Sequence, residues 1–353
     1  MLGTALVHVP AVETKRASKA RKKAPAEKPW RRTGSPEEGF VYLRGDGKPL
    51  RSAPALARIK KLAIPPAWTG VHISPDPAAK VQAYGTDAAG RKQYRYHPDY
   101  VARGAKRKYR KLLEYARAIP RLREATEEHL GREGVGRERV LALVVRLIMR
   151  GFFRVGSEQY AVANKTFGIA TLQKKHLKID GDSLVFTYVG KKSIHQRSVV
   201  ADTPLVEVIR EILALPGKRL FQYVDEEGNV RPVTAADVNG YIKELVGARY
   251  TSKDMRTWGG TVRMATILAD LGPPTSARDA QKNLVMACKL VSSELGNTPT
   301  VCKAAYVHPA VMERYAEGKT IEPLMREAPR DDEEPGRYYP EEAALMRFLA
   351  KWG

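Results

Sequence analysis

Two hydrophobic periods follow one another along the chain. From Gly39 the apolar residues come in short runs broken by turn signals, the mark of strands. The first run, 40–43, leads into Gly45-Asp46-Gly47, a hairpin-like turn. Further strands are predicted over 68–74, 81–86 and 92–96, the last two separated by Ala88-Ala89-Gly90. From about Ile119 the spacing turns helical, and within 137–149 Val140, Leu141, Val144, Val145 and Ile148 keep to one broad face. Three more strands are predicted at 172–179, 184–189 and 194–200, joined through Asp180-Gly181-Asp182 and Gly190-Lys191-Lys192. Helices return over 203–214, 234–246, 252–270 and 276–295, with Gly247 and Gly296 as closing glycines. A last amphipathic helix, 340–352, follows the acidic run Asp331-Asp332-Glu333-Glu334.

This pattern predicts an α+β protein. A small β-rich domain occupies 36–100, a basic hinge or linker 101–118, and a larger, mainly helical domain with a three-stranded β insertion 119–325, followed by a C-terminal tail and helix over 326–353. Residues 1–35 are predicted to be a disordered basic arm. Between Lys15 and Arg32, nine Lys/Arg against the single acid Glu27 leave too little apolar surface to offset ordering entropy. The arm is either an extension without function or a basic segment for DNA.

Charge narrows the partner. Across 353 residues, 61 Lys and Arg outnumber 39 Asp and Glu, a formal charge of +22. That surplus predicts a polyanion, because each neutralised phosphate releases condensed counterions. RNA, DNA and an anionic membrane all satisfy it. Two cysteines, Cys288 and Cys302, exclude a disulfide-built scaffold and point to a reducing compartment. No apolar run approaches the roughly 18 residues that span a bilayer. The stretch from Leu2 to Val12 is interrupted by Pro10 and lacks a basic start, so it is not read as a signal peptide. A cytoplasmic, nucleoid-associated protein is expected.

Several chemistries drop out. Gly190-Lys191-Lys192-Ser193 lacks the upstream glycine of a phosphate loop and joins two strands, so ATP use is not expected. The seven histidines are scattered without ligand spacing, and no carboxylate cluster resembles a two-metal nuclease site. No cofactor is expected, so the positive charge for work on nucleic acid has to come from side chains.

Four segments suggest which ones. They are Gly151-Phe152-Phe153-Arg154-Val155-Gly156, Tyr188-Val189-Gly190-Lys191-Lys192-Ser193, Lys253-Asp254-Met255-Arg256-Thr257-Trp258-Gly259, and Leu295-Gly296-Asn297-Thr298-Pro299-Thr300 leading to Lys303-Ala304-Ala305-Tyr306. In this order they resemble the active site of type IB DNA topoisomerases, in their poxviral and bacterial branch. Any one segment is a weak signal, while the ordered set, within a resemblance covering most of 39–325, is a specific one.

The resemblance implies a C-shaped DNA clamp and a set of roles. Tyr306 attacks a DNA phosphodiester to form a 3′-phosphotyrosyl link. Arg154 and Arg256 bind the non-bridging oxygens, and Lys191 protonates the departing 5′ oxygen. Lys253 and Lys303 assist at the phosphate. The family usually has histidine where this chain has Asn297, whose NH₂ can still donate a hydrogen bond. Along Gly90-Arg91-Lys92-Gln93-Tyr94-Arg95-Tyr96, Gln93 reads a base edge and Tyr94 and Tyr96 touch backbone or bases. Tyr160 matches another DNA-contacting position. Resealing by the reverse reaction would relax supercoils without ATP or metal. The implied partner is duplex DNA, bound by a monomer with no membrane association and no obligate protein partner.

Each residue also has a plainer reading. A single Arg or Lys is more often a solvated charge, Tyr306 a core tyrosine, and Gln93, Tyr94 and Tyr96 alternating strand residues that pack a small sheet. Cys302 reads as a buried structural thiol. Two other functions compete. A tyrosine recombinase shares the Arg, Lys, Arg, Tyr set, but usually carries histidine where this chain has Lys253 and a helical N-terminal module. The other is a basic architectural DNA-binding protein without chemistry.

Overall fold

Residues 28–327 and 338–353 are described by the computed structural model, and they divide into two units at Ala105/Lys106. The basic arm predicted over 1–35 lies largely outside the described residues. Its end is a correction, since Trp30–Ser35 forms strand β1. Trp30 is buried in the core of the N-terminal unit, and the Arg32 guanidinium donates to the carbonyls of Pro65 and Trp68. One aromatic and one forked donor thus order a stretch whose charge alone favours solvation.

The N-terminal unit continues through β2 (Gly39–Leu43), α1 (Ala53–Lys61), β3 (Thr69–Ile73), β4 (Val81–Thr86) and β5 (Lys92–Tyr96). The strands form one antiparallel sheet in the order β2-β1-β3-β4-β5, leaving β5 on an edge. Trp30, Leu50, Ile59, Val71, Ile73 and Ala83 make its core, with Ile59 supplied by α1. Strand alternation separates the two faces of β5. Gln93 and Arg95 are half-buried, whereas Lys92, Tyr94 and Tyr96 are exposed.

The hinge predicted over 101–118 is helical: those residues lie inside α2 (Pro98–Leu130), a single helix of 33 residues within which the boundary between the two units falls. Its basic residues mask an amphipathic stripe in which Leu112, Tyr115, Ala116, Ile119 and Leu122 are buried.

The C-terminal unit is built around α3 (Arg137–Gly151). Every residue from Val140 to Val145 is buried, so this helix is enclosed on more than the one face its pattern predicts. After α4 (Glu158–Asn164) comes a three-stranded meander, β6 (Leu177–Asp180), β7 (Ser183–Val189) and β8 (His195–Ala201), in the order β6-β7-β8. The strand predicted from 172 begins only at Leu177, because tight turns at Ile169–Thr171 and Lys174–His176 precede it. There follow α5 (Thr203–Leu213), the hairpin β9 (Gln222–Val224) and β10 (Val230–Pro232), α6 (Ala235–Val246), α7 (Ser252–Asp270), α8 (Ala277–Glu294), α9 (Pro299–Ala305), α10 (Pro309–Ala316) and α11 (Glu322–Met325). The acidic run 331–334 lies outside the described residues. Helix α12 (Pro340–Trp352) is no loose tail, since Ala344, Leu345 and Phe348 are buried in the same core as α3 and α7. Among the described residues, no helix is long and apolar enough to cross a membrane.

Candidate active site

Tyr306 stands where α9 stops. Its backbone N–H still donates to Cys302 at 2.9 Å, but its own φ of −127° leaves the helix. Position 260 on α7 explains how the turn fits there. A Cβ on Gly260 would come within 3.0 Å of the Tyr306 carbonyl oxygen, so glycine permits the approach of α7 to the tyrosine.

Arg256 lies on the same helix, one turn earlier. It is buried, with its guanidinium carbon 5.2 Å from the Tyr306 ring centre, and Nη2 donates to the Leu295 carbonyl at 2.8 Å. Burial first, then the like charge of Arg154, push this guanidinium down to about 10, and Tyr306 partly offsets them. It therefore remains charged at neutral pH. Arg154 follows α3 on a loop entered through Phe152, a non-glycine residue in the left-handed region. Its Nη2 donates to the Gly296 carbonyl and to Asn297 Oδ1, both at 2.6 Å. Two guanidiniums thus grip the α8–α9 turn, 295–297, from two elements. The loop is backed by Gly168, where a Cβ would sit 2.4 Å from the Gly156 nitrogen and 2.5 Å from the Arg154 oxygen.

Two donors in this cluster have no partner. Arg256 Nε and Asn297 Nδ2 are both buried and unsatisfied. Buried donors rarely go unmatched, because desolvation without a hydrogen bond costs about 1–3 kcal/mol. Asn297 spends its oxygen on Arg154, which leaves the NH₂ group for another acceptor.

Lys191 follows Gly190 at the exposed tip of the β7–β8 hairpin. Lys192 and Ser193 there have φ of 63° and 57°. Gln196 of β8 connects this tip to the turn at 296. A Cβ on Gly190 would lie 2.9 Å from Gln196 Cγ, and one on Gly296 2.0 Å from Gln196 Oε1. Lys253 and Lys303 are exposed on α7 and α9, and Tyr160 is exposed on α4. In the N-terminal unit, Tyr94 and Tyr96 are 41% exposed and stand outside the core. Gln93 is on the other face of β5, with its amide donating to Asp87 Oδ2 at 2.9 Å.

Sequence reasoning missed several neighbours. Tyr94 belongs to a row of rings, His72–Tyr84–Tyr94–Tyr96–Tyr100, with centres 4.9, 6.4, 5.8 and 5.3 Å apart. Lys92 and Lys80 place ammonium groups 4.5 Å from the Tyr84 and Tyr100 rings. The alternation of β5 foretells two of these rings, but the cross-strand register that adds Tyr84 and His72 is not local. Tyr188 of β7 is buried beside the arginines, and its hydroxyl is pushed up to about 12 by burial, against the pull of Arg256 and Arg154. The paired glycines 259 and 260 inside a helix were the available signal for a close approach.

The family models and the curated relatives agree on one family. The model for the eukaryotic DNA topoisomerase I catalytic core matches residues 100–331, and that for the bacterial DNA topoisomerase IB N-terminal domain matches 39–87. The DNA topoisomerase 1B of Acanthamoeba polyphaga mimivirus is 34% identical over 283 residues, covering 78% of this chain and 84% of the viral protein. That of vaccinia virus (strain Copenhagen) is 25% identical over 238 residues, covering 65% of this chain and 70% of its own length. Among solved structures, the XerH site-specific recombinase bound to palindromic difH substrate matches with a TM-score of 0.35 at 15% identity, covering 54% of this chain and 47% of the recombinase.

Proposed function

The chain belongs to the type IB DNA topoisomerases, and from that premise we propose that it relaxes supercoiled duplex DNA through a covalent link to Tyr306, with neither ATP nor a metal ion. The observation that carries this reading is the pair of unsatisfied donors, Arg256 Nε and Asn297 Nδ2, held in one cluster with Arg154 beside Tyr306.

A phenol, with a reference pKa of about 10, is a poor nucleophile unless nearby cations favour the phenolate. Arg256 supplies such a cation at the ring. As Tyr306 Oη attacks, the phosphorane gains negative charge on its non-bridging oxygens. Arg154, Arg256 and Asn297 are the fixed donors for that charge. The bond to the 5′ oxygen breaks, and Lys191 gives that oxygen a proton, leaving a 3′-phosphotyrosyl link and a free 5′-hydroxyl. The new phosphodiester keeps the energy of the old one, so attack by the 5′-hydroxyl reseals the strand. Lys253, Lys303, Tyr160, Gln93, Tyr94 and Tyr96 serve as DNA contacts. The enzyme works as a monomer, in a cytoplasmic, nucleoid-bound setting.

The test is covalent trapping on supercoiled plasmid and on a nicked suicide duplex, in EDTA and without ATP. A denaturation-resistant protein–DNA band and relaxation of both supercoil signs are expected, and both are lost in Tyr306→Phe. A folded protein that yields no such band, or a band that persists in Tyr306→Phe, refutes the assignment. Strand exchange only between paired sites would select a recombinase instead.

A further inference from the structure

The carbonyls on either side of Tyr306 are those of Ala305, the last residue of α9, and of Val307 beyond it. Each receives a side-chain donor from α2: Lys108 Nζ donates to Ala305 O at 2.6 Å, and Tyr109 Oη to Val307 O at 3.1 Å. On α7 the Thr261 hydroxyl gives its one proton to the Thr257 carbonyl at 2.7 Å and accepts from the His308 backbone N–H at 3.2 Å. Adjacent residues of α2 therefore bracket the peptide that carries Tyr306, while α7 holds the backbone just after it.

Lys108 is an unusual choice for this task. A lysine meant for DNA keeps its ammonium in water, yet this one is half-buried against the Tyr109 ring, 4.5 Å from its centre, and anchored on a carbonyl. The nearby carboxylate, Asp254, is bound by Lys111 at 2.7 Å. Burial first, then Lys253, push the Lys108 ammonium down to about 8, against a weaker pull from Asp254. Its charge also acts on His308 in the α9–α10 linker, which it helps to keep neutral. Desolvating an ammonium for one carbonyl bond is costly unless the bond fixes something that matters.

We propose that Lys108 and Tyr109 are positioning residues that hold the Tyr306 turn in the geometry for attack. This rests on Tyr306 being the nucleophile. Neither side chain touches the phosphate; both act through the backbone. A displacement of about 1 Å at a reacting group can cost about a hundredfold in rate, so a clasp on the tyrosine's own turn has large leverage.

The test uses the full chain with Lys108→Met, Lys108→Arg and Tyr109→Phe. Single-turnover cleavage of a suicide duplex is measured beside non-covalent DNA affinity in the Tyr306→Phe background. Lys108→Met is expected to slow cleavage about ten- to a hundredfold, with affinity and its salt slope unchanged. Tyr109→Phe, which removes one hydroxyl, slows it a few-fold, and Lys108→Arg restores most of the rate. Wild-type cleavage by folded Lys108→Met overturns the proposal while leaving the nucleophile in place. So does a loss of affinity with a salt slope shallower by about 0.9, the signature of a direct phosphate contact. Absence of a Tyr306-dependent adduct in the wild type overturns both.

Discussion

Asn297 shows how one atom carries a functional argument. Its oxygen accepts from Arg154, so its orientation is set by a partner, and the NH₂ is the group left to act. A histidine ring nitrogen could make the same donation, whereas neither could be replaced by a methyl group. Asn297→His is therefore expected to keep most of the cleavage rate. Asn297→Ala should lose roughly ten- to a thousandfold, the scale of one oxyanion donor, in single-turnover assays. Equal rates for Asn297→Ala and wild type would remove the donor role. That Arg154, Arg256, Asn297 and Tyr306 belong to one cluster was legible in the sequence through their order alone. Lys108 and Tyr109 were not, because their partners are backbone oxygens about two hundred residues away, which no local pattern encodes.

At the level of elements, legibility followed amphipathicity. Helices α5 to α8 and α12 were foretold nearly to the residue, since each has one apolar face and a clear terminus. Strand β1 was hidden under basic residues, because Arg31 and Arg32 carry the same charge whether ordered or solvated. The loop bearing Arg154 makes a sharper case. Its position depends on Gly168 lying against Gly156 and the Arg154 carbonyl at distances no Cβ tolerates. Gly168→Ala is expected to destabilise the fold by about 2–4 kcal/mol, as overpacking against backbone does, with cleavage falling further than stability explains. Denaturant unfolding beside single-turnover cleavage checks both, and an unchanged midpoint would show that the loop yields easily.

For the whole molecule, acid exposes a weak point. His308 caps α10, its Nδ1 accepting from the Ala310 N–H at 3.2 Å, a role open only to the neutral ring. Burial, and then Lys108, push it down to about 4 from the 6.5 of an unfolded chain. Between those values the unfolded state binds a proton that the native state refuses. The stability tied to neutral His308 is thus fully present above pH 6.5 and is lost as pH falls towards 4, on the order of 3 kcal/mol in all. His308→Asn keeps an acceptor for the cap and removes the titration. Its unfolding midpoint should fall less than the wild type's between pH 7 and 4.5, and parallel losses would assign acid sensitivity elsewhere.

Cys302 lies one helical turn before Tyr306, fully buried, its thiol pushed up to about 12 chiefly by burial. In that state it resists alkylation, since the thiolate is the reactive form. Only a local opening of the short helix around it would bring the thiol to solvent without global unfolding. The chain thereby carries its own gauge of excursions at the proposed nucleophile: iodoacetamide should label Cys302 only during such openings, and bound duplex should slow the labelling. Rapid modification of the native protein at neutral pH would mean that α9 is far looser than its packing implies.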